Sequence, residues 1–142
     1  MTTVAIAFDE AAWIDWTLDR PRRIAVVGLS NREDRDSHKA SLYLHELGYE
    51  IVPVNPGHSS IMGLKCYPSL HDVPGAVDIV NLFQRPDRVP ASVEAAIVLQ
   101  PKLIWMQLGI VHRQAADQAR KAGIGVVMDR CIKIEHQKKL AN

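Results

Sequence analysis

The stretch from Gly28 to Ser37, Gly-Leu-Ser-Asn-Arg-Glu-Asp-Arg-Asp-Ser, gathers groups that suit a phosphate. Ser30 and Ser37 carry hydroxyl donors, and Arg32 and Arg35 supply positive charge. If a helix starts at its end, free backbone N–H groups and the positive end of the helix dipole add to them. A polar loop without a ligand is the plainer alternative, because one glycine, Gly28, is no fingerprint. Further along, Asn55-Pro56-Gly57 has turn chemistry. Lys65 either reaches an anionic ligand or stays solvated. Phe83 either closes a core or lays its ring beside an adenine, and Arg85 behind it offers a bidentate fork for phosphate. Trp105 reads as core, on the face opposite Leu103 and Gln107, with Gln107 pointing into a crevice mouth. Cys131 follows Asp129-Arg130 where a final helix begins, a setting that favours a thiolate. An inert buried cysteine is the competing reading.

Several chemistries lack their residues. A nicotinamide-binding unit wants G-x-G-x-x-G and an acidic residue at the end of the second strand. Here Ser30 and Glu33 occupy the second and third glycine positions, and that strand ends Pro53-Val54-Asn55-Pro56. No G-x-x-x-x-G-K-[ST] phosphate loop and no G-x-S-x-G elbow occurs. The six histidines (38, 45, 58, 71, 112 and 136) are dispersed without metal-ligand spacing, so no metal site is expected. Asp72, Asp78, Asp117 and Asp129 fit caps and turns. No nucleophile, base and oxyanion hole assemble, so no catalytic residue is assigned.

The elements that must position these residues alternate. A helix from about Phe8 to Leu18, capped by Asp9 and stopped by Pro21, brings Trp13 and Trp16 onto the body. Strands are expected at Arg23–Gly28, Tyr49–Val54, Asp78–Phe83, Leu103–Gln107 and Gly125–Met128, short apolar runs rich in β-branched residues. Between them fall helices from Asp36 or Ser37 to Leu47, with Leu42, Leu44 and Leu47 apolar; from Asp87 to Leu99, with Pro90 in the first turn; from His112 to Ala122; and from Cys131 to Leu140. Such alternation predicts an α/β fold: a Rossmann-like, doubly wound sheet of five parallel strands between two helix layers. Ligands of such sheets bind beyond the strands' carboxyl ends, where the strand order reverses. The residues singled out above sit just there.

Composition agrees with one such domain. The chain has 142 residues, 47% hydrophobic and 23% charged, which excludes disordered and low-complexity classes. It is read as a single domain over 1–142, with an N-terminal helix at about 9–19 and a core at about 22–140. Seventeen basic against sixteen acidic residues leave +1, with no basic face for nucleic acid. No apolar run approaches a membrane span, and the N-terminus lacks the marks of a signal peptide. Cys66 and Cys131 fit no metal spacing, so a reduced, cytoplasmic protein is expected.

In combination, VVGLSNREDRDS, LGYEIVPVNP, GLKCYPSL, VDIVNLFQRP, LIWMQLG and VVMDRCIKIEH resemble the small bacterial CoA-binding proteins. These are similar to the CoA-binding domain of the succinyl-CoA synthetase α subunit. The resemblance runs from about Arg23 to His136. It implies coenzyme A, or an acyl-CoA, as the small-molecule ligand. It implies that Gly28, Ser30, Arg35 and Ser37 hold the pyrophosphate, and that Asn55, Pro56 and Lys65 lie toward the adenosine and its 3′-phosphate. Phe83, Arg85 and Val89 would line the next wall and Gln107 the pantetheine side. The family pattern has arginine where this chain has Gln84, which leaves Arg85 to carry that contact. The synthetases act through a phosphorylated histidine in a further domain that this chain does not carry, so the resemblance implies binding without ligase activity. Two other readings stay open: thiol–disulfide chemistry between CoA and Cys131, and a nicotinamide-binding oxidoreductase. Neither oligomeric state nor protein partner is legible.

Overall fold

The computed structural model describes residues 9–141, so Phe8 lies outside the described residues. Its first helix, α1 (Glu10–Leu18), is capped as expected: the Asp9 carboxylate accepts from the Ala12 N–H at 3.1 Å. Trp13 packs on Gly125 so closely that a Cβ there would come within 2.3 Å of the indole. Trp13 and Trp16 meet edge to face at 5.2 Å, and the Arg22 guanidinium stacks 3.8 Å from the Trp16 ring centre.

Beyond α1 follow β1 (Arg23–Val27), α2 (Asp36–Glu46), β2 (Glu50–Val54), the hairpin strands β3 (Ser60–Ile61) and β4 (Leu64–Lys65), β5 (Ile79–Leu82), α3 (Val89–Leu99), β6 (Leu103–Met106), α4 (Arg113–Lys121), β7 (Gly125–Val127) and α5 (Ile132–Ala141). Single 3₁₀ turns occupy Leu70–Asp72 and Pro86–Arg88. The five long strands pair in parallel in the order β2-β1-β5-β6-β7. Alternate residues divide between two cores. Ala25, Val27, Val80, Leu82, Ile104 and Met106 pack with α3 and α4. Ile24, Val26, Ile79, Leu103 and Trp105 pack with α1, α2 and α5. The result is the expected three-layer, Rossmann-like arrangement. No described helix is long and apolar enough to cross a membrane.

Several local expectations need correction. Leu103 and Trp105 share one core, because side chains two apart in a strand point the same way. Of the three leucines assigned to α2's apolar face, only Leu44 is buried; Leu42 and Leu47 are each 41% exposed. Neither Asp36 nor Ser37 caps α2: Arg35 holds the cap position and no side chain bonds the helix end. The β3–β4 hairpin has no counterpart among the expected strands. Its turn places Met62 and Gly63 at φ 58° and 73°, the left-handed pair of a type I′ turn.

Candidate functional site

The sheet order reverses between β1 and β5, so the loops leaving these strands diverge and open a crevice. Gly28 follows β1 with φ +85°, and a Cβ on it would lie 2.2 Å from the Phe83 carbonyl oxygen. Only glycine permits that approach. Three cavities meet around this point, and Phe83, half-buried, lines all of them.

The central cavity, about 540 Å³, lies at the start of α2. It brings together seven residues singled out from the sequence for the ligand, Gly28, Ser30, Arg32, Arg35, Ser37, Phe83 and Arg85, with Gln84 beside them. The loop is shaped by its own serines. The Ser30 N–H donates to Ser37 Oγ at 3.0 Å, and the Arg32 N–H donates to Ser30 Oγ at 3.1 Å. His38, buried on α2, places Nδ1 3.0 Å from the Ser30 carbonyl and so donates to it. Since no side chain caps α2, its first-turn N–H groups face this cavity's end of the helix unbonded by a cap. Three guanidiniums surround it. Arg32 pairs with Asp34 at 3.0 Å and Arg85 with Asp87 at 3.3 Å, all well exposed. Exposed pairs like these are weak and easily exchanged for a phosphate. The Arg35 side chain has no partner among the described residues. The arrangement is suited to a pyrophosphate.

On the α3 side a cavity of about 450 Å³ shares Gly28, Phe83 and Gln84 with the central one. Asn55 and Pro56 line it, with Val27, Val54, Leu70, Pro68, Ala91 and Ala95 as its apolar lining. Asn55 staples two loops: its Nδ2 donates to the Leu29 carbonyl at 3.0 Å and its Oδ1 accepts from the Gly57 N–H at 2.9 Å. Behind it Cys66 is buried with Sγ 3.4 Å from the Asn55 carbonyl. Burial pushes the Cys66 thiol up from its ordinary pKa, which disfavours the thiolate.

On the α5 side a cavity of about 400 Å³ contains Gln107 and Cys131, walled by Ala40, Leu108 and Ile134 with Lys39 and Lys133 at its sides. Gln107 borders this cavity but is itself buried. Its Nε2 donates to Asn81 Oδ1, and its Oε1 accepts from the Ile132 N–H at 3.2 Å. It therefore ties the end of β6 to the start of α5. Cys131 is half-buried in front of α5, and its carbonyl accepts the Glu135 N–H. The Arg130 guanidinium turns to Glu10 and Glu135, at 3.4 and 4.0 Å.

Two residues assigned to the site stand apart from these cavities. Val89 is fully buried in the α3–α4 core. Lys65 lies on the hairpin, its ammonium 5.2 Å from the Tyr67 ring centre. Conversely, sequence reasoning assigned no site role to Ser92, His71 and Arg88, which line the α3-side cavity together with Gln84. The Ser92 hydroxyl donates to Gln84 Oε1, leaving the Gln84 amide N–H groups to donate outward. A signal existed: Arg88, Ala91, Ser92 and Ala95 recur at helical spacing just after a strand end. Among the described residues no cluster of His, Cys, Asp and Glu could hold a metal ion.

Residues 22–137 match the model of a family described as the CoA binding domain. The chain is 42% identical over 119 residues to an uncharacterized protein of Bacillus subtilis, YneT, covering 84% of this chain and 88% of that one. A solved structure described as a hypothetical protein from Pyrococcus horikoshii superposes with a TM-score of 0.85 at 38% identity, covering 89% of each chain. A larger relative, acetate–CoA ligase (ADP-forming) I of Archaeoglobus fulgidus, is 25% identical over 122 residues, or 79% of this chain and 18% of the ligase.

Proposed function

Because the chain belongs to the CoA binding domain family, we propose that it binds coenzyme A or an acyl-CoA across its strand ends without catalysing a reaction of its own. The observation that carries this reading is that three cavities sit side by side at the strand ends with Phe83 as a common lining residue. Their chemistry changes along the crevice in the order that CoA requires. The apolar side chains lining the α3-side cavity suit the adenine. The arginine-rich centre at the uncapped α2 suits the pyrophosphate. The α5-side cavity, with Ala40, Leu108 and Ile134, suits the pantetheine arm. Gln107 serves there as a brace for the cavity wall, since both ends of its amide are bonded internally. A nicotinamide dinucleotide is less well served, because Asn55 stands where a carboxylate would hold the ribose. Free thiols at Cys66 and Cys131 accord with the reducing, cytoplasmic setting that belongs to this proposal.

Isothermal calorimetry with CoA, NAD and NADP tests the reading. CoA binding at one site per chain, with neither dinucleotide competing, is the expected result. NADP binding without CoA binding would replace it with an oxidoreductase. Mass spectrometry of ligand carried through native purification distinguishes free CoA from an acyl-CoA.

A second reading is favoured by one observation: Cys131 lines the cavity assigned to the pantetheine arm. There the Cys131 thiolate could attack the disulfide of oxidised CoA, forming a Cys131–CoA mixed disulfide and releasing CoA thiolate. Incubation with CoA disulfide followed by peptide mapping should label Cys131. No adduct, or an adduct on Cys66 alone, removes this reading.

A further inference from the structure

The crevice carries two separate groups of cations, and the second is not needed for a pyrophosphate. Arg32, Arg35 and Arg85 surround the central cavity. Arg88 and His71 line the α3-side cavity instead, from two different 3₁₀ turns, Pro86–Arg88 and Leu70–Asp72. Neither side chain has a hydrogen-bond or ion-pair partner among the described residues. The neighbouring carboxylates are already engaged: Asp87 by Arg85 at 3.3 Å, and Asp72 by the Ser69 hydroxyl at 2.9 Å. Arg88 is thus an uncommitted guanidinium beside a cavity part-lined by Val27, Val54, Leu70, Ala91 and Ala95. A ligand filling both cavities with a diphosphate in the central one would bring its nucleoside here, with any further anionic group on the ribose beside Arg88.

We infer that Arg88, with His71 as a second donor, recognises a phosphate on the ribose of the bound nucleotide and makes the protein selective for CoA over dephospho-CoA. The inference rests on the CoA reading and sharpens it. It moves the 3′-phosphate contact from Lys65, which lies against Tyr67 on the hairpin, to the rim of the cavity that holds Asn55 and Pro56. Arginine suits the role, because its planar fork can grip a phosphate with two parallel hydrogen bonds.

Calorimetric titration of the full chain with CoA and with dephospho-CoA tests it, in wild type, Arg88→Ala, Arg88→Lys and Lys65→Ala. Wild type should prefer CoA by roughly tenfold to a hundredfold, the range expected of a charge-assisted contact. Arg88→Ala should lower CoA affinity toward that of dephospho-CoA while dephospho-CoA affinity stays unchanged, which also shows that the variant is folded. Arg88→Lys should restore part of the preference. Equal wild-type binding of the two ligands would overturn the inference and leave the CoA reading standing. So would an unchanged preference in Arg88→Ala, an equal loss of both ligands in it, or loss of the preference in Lys65→Ala. Binding of neither ligand by wild type would instead defeat the CoA reading and this inference with it.

Discussion

Arg85 and Gly28 serve the crevice in different ways, and their substitutions should fail differently. Arg85 is exposed and, among the described residues, its side chain is held only by Asp87 at 3.3 Å, so a phosphate can take it over without breaking the fold. Arg85→Ala should weaken CoA binding by about 1.5–3 kcal/mol by calorimetry, with an unchanged melting temperature. Undiminished affinity would remove it from the site. Gly28→Ala would place a methyl group 2.2 Å from the Phe83 carbonyl at a φ of +85°. We expect it to destabilise the fold by about 1–3 kcal/mol in chemical denaturation and to deform the crevice. Tyr49 gives a pH signature. Burial raises its pKa from 10.0 to about 12, against a smaller opposing effect of Arg22, while its hydroxyl donates to the Thr17 carbonyl at 2.7 Å. The folded state keeps this proton where the unfolded chain loses it. The contribution is therefore fully present below pH 10 and is lost as pH rises toward about 12. Tyr49→Phe should be less stable at neutral pH by about 1 kcal/mol and show a shallower alkaline decline than wild type.

Among the elements, those with a strong local signal were legible. Asp9 caps α1 and Pro90 stands in the first turn of α3, as the residue types dictate, whereas the cap that the His112 ring nitrogen gives α4 is not announced by its type. The β3–β4 hairpin was not legible, because each strand has two residues and Met62 takes a left-handed conformation that its type does not announce. Leu42 and Leu47 were misplaced because apolar type alone does not say which face of α2 meets the sheet. The function of α1 follows from its packing. Trp13 covers Gly125, while Glu10 accepts the Met128 N–H at 3.2 Å and pairs with Arg130. It thereby closes the β7 edge beside the segment leading to Cys131. Trp13→Ala should cost about 2–3 kcal/mol, below the full-burial value because the indole is half-exposed, and should lower the thermal midpoint accordingly.

For the whole molecule, strand alternation predicted the sheet, and the sheet order fixes where the strand-end crevice opens. Seven of the residues named from sequence for the ligand converge on one cavity because they leave neighbouring strands at the same end. The rest of the site was hidden because cavity walls arise where loops distant in sequence meet. Arg88 and His71 come from separate turns, and Val89, one residue from Arg88, points into the core instead. A net charge of +1 fits this picture, since attraction for an anionic ligand is local to the crevice. The most direct test is a CoA titration followed by backbone amide chemical shifts. We expect saturable shifts at Gly28–Ser37, Asn55, Phe83–Arg88 and Cys131–Lys133, joining all three cavities in one footprint. No saturable shifts, or shifts confined to surfaces away from the strand ends, would contradict the account.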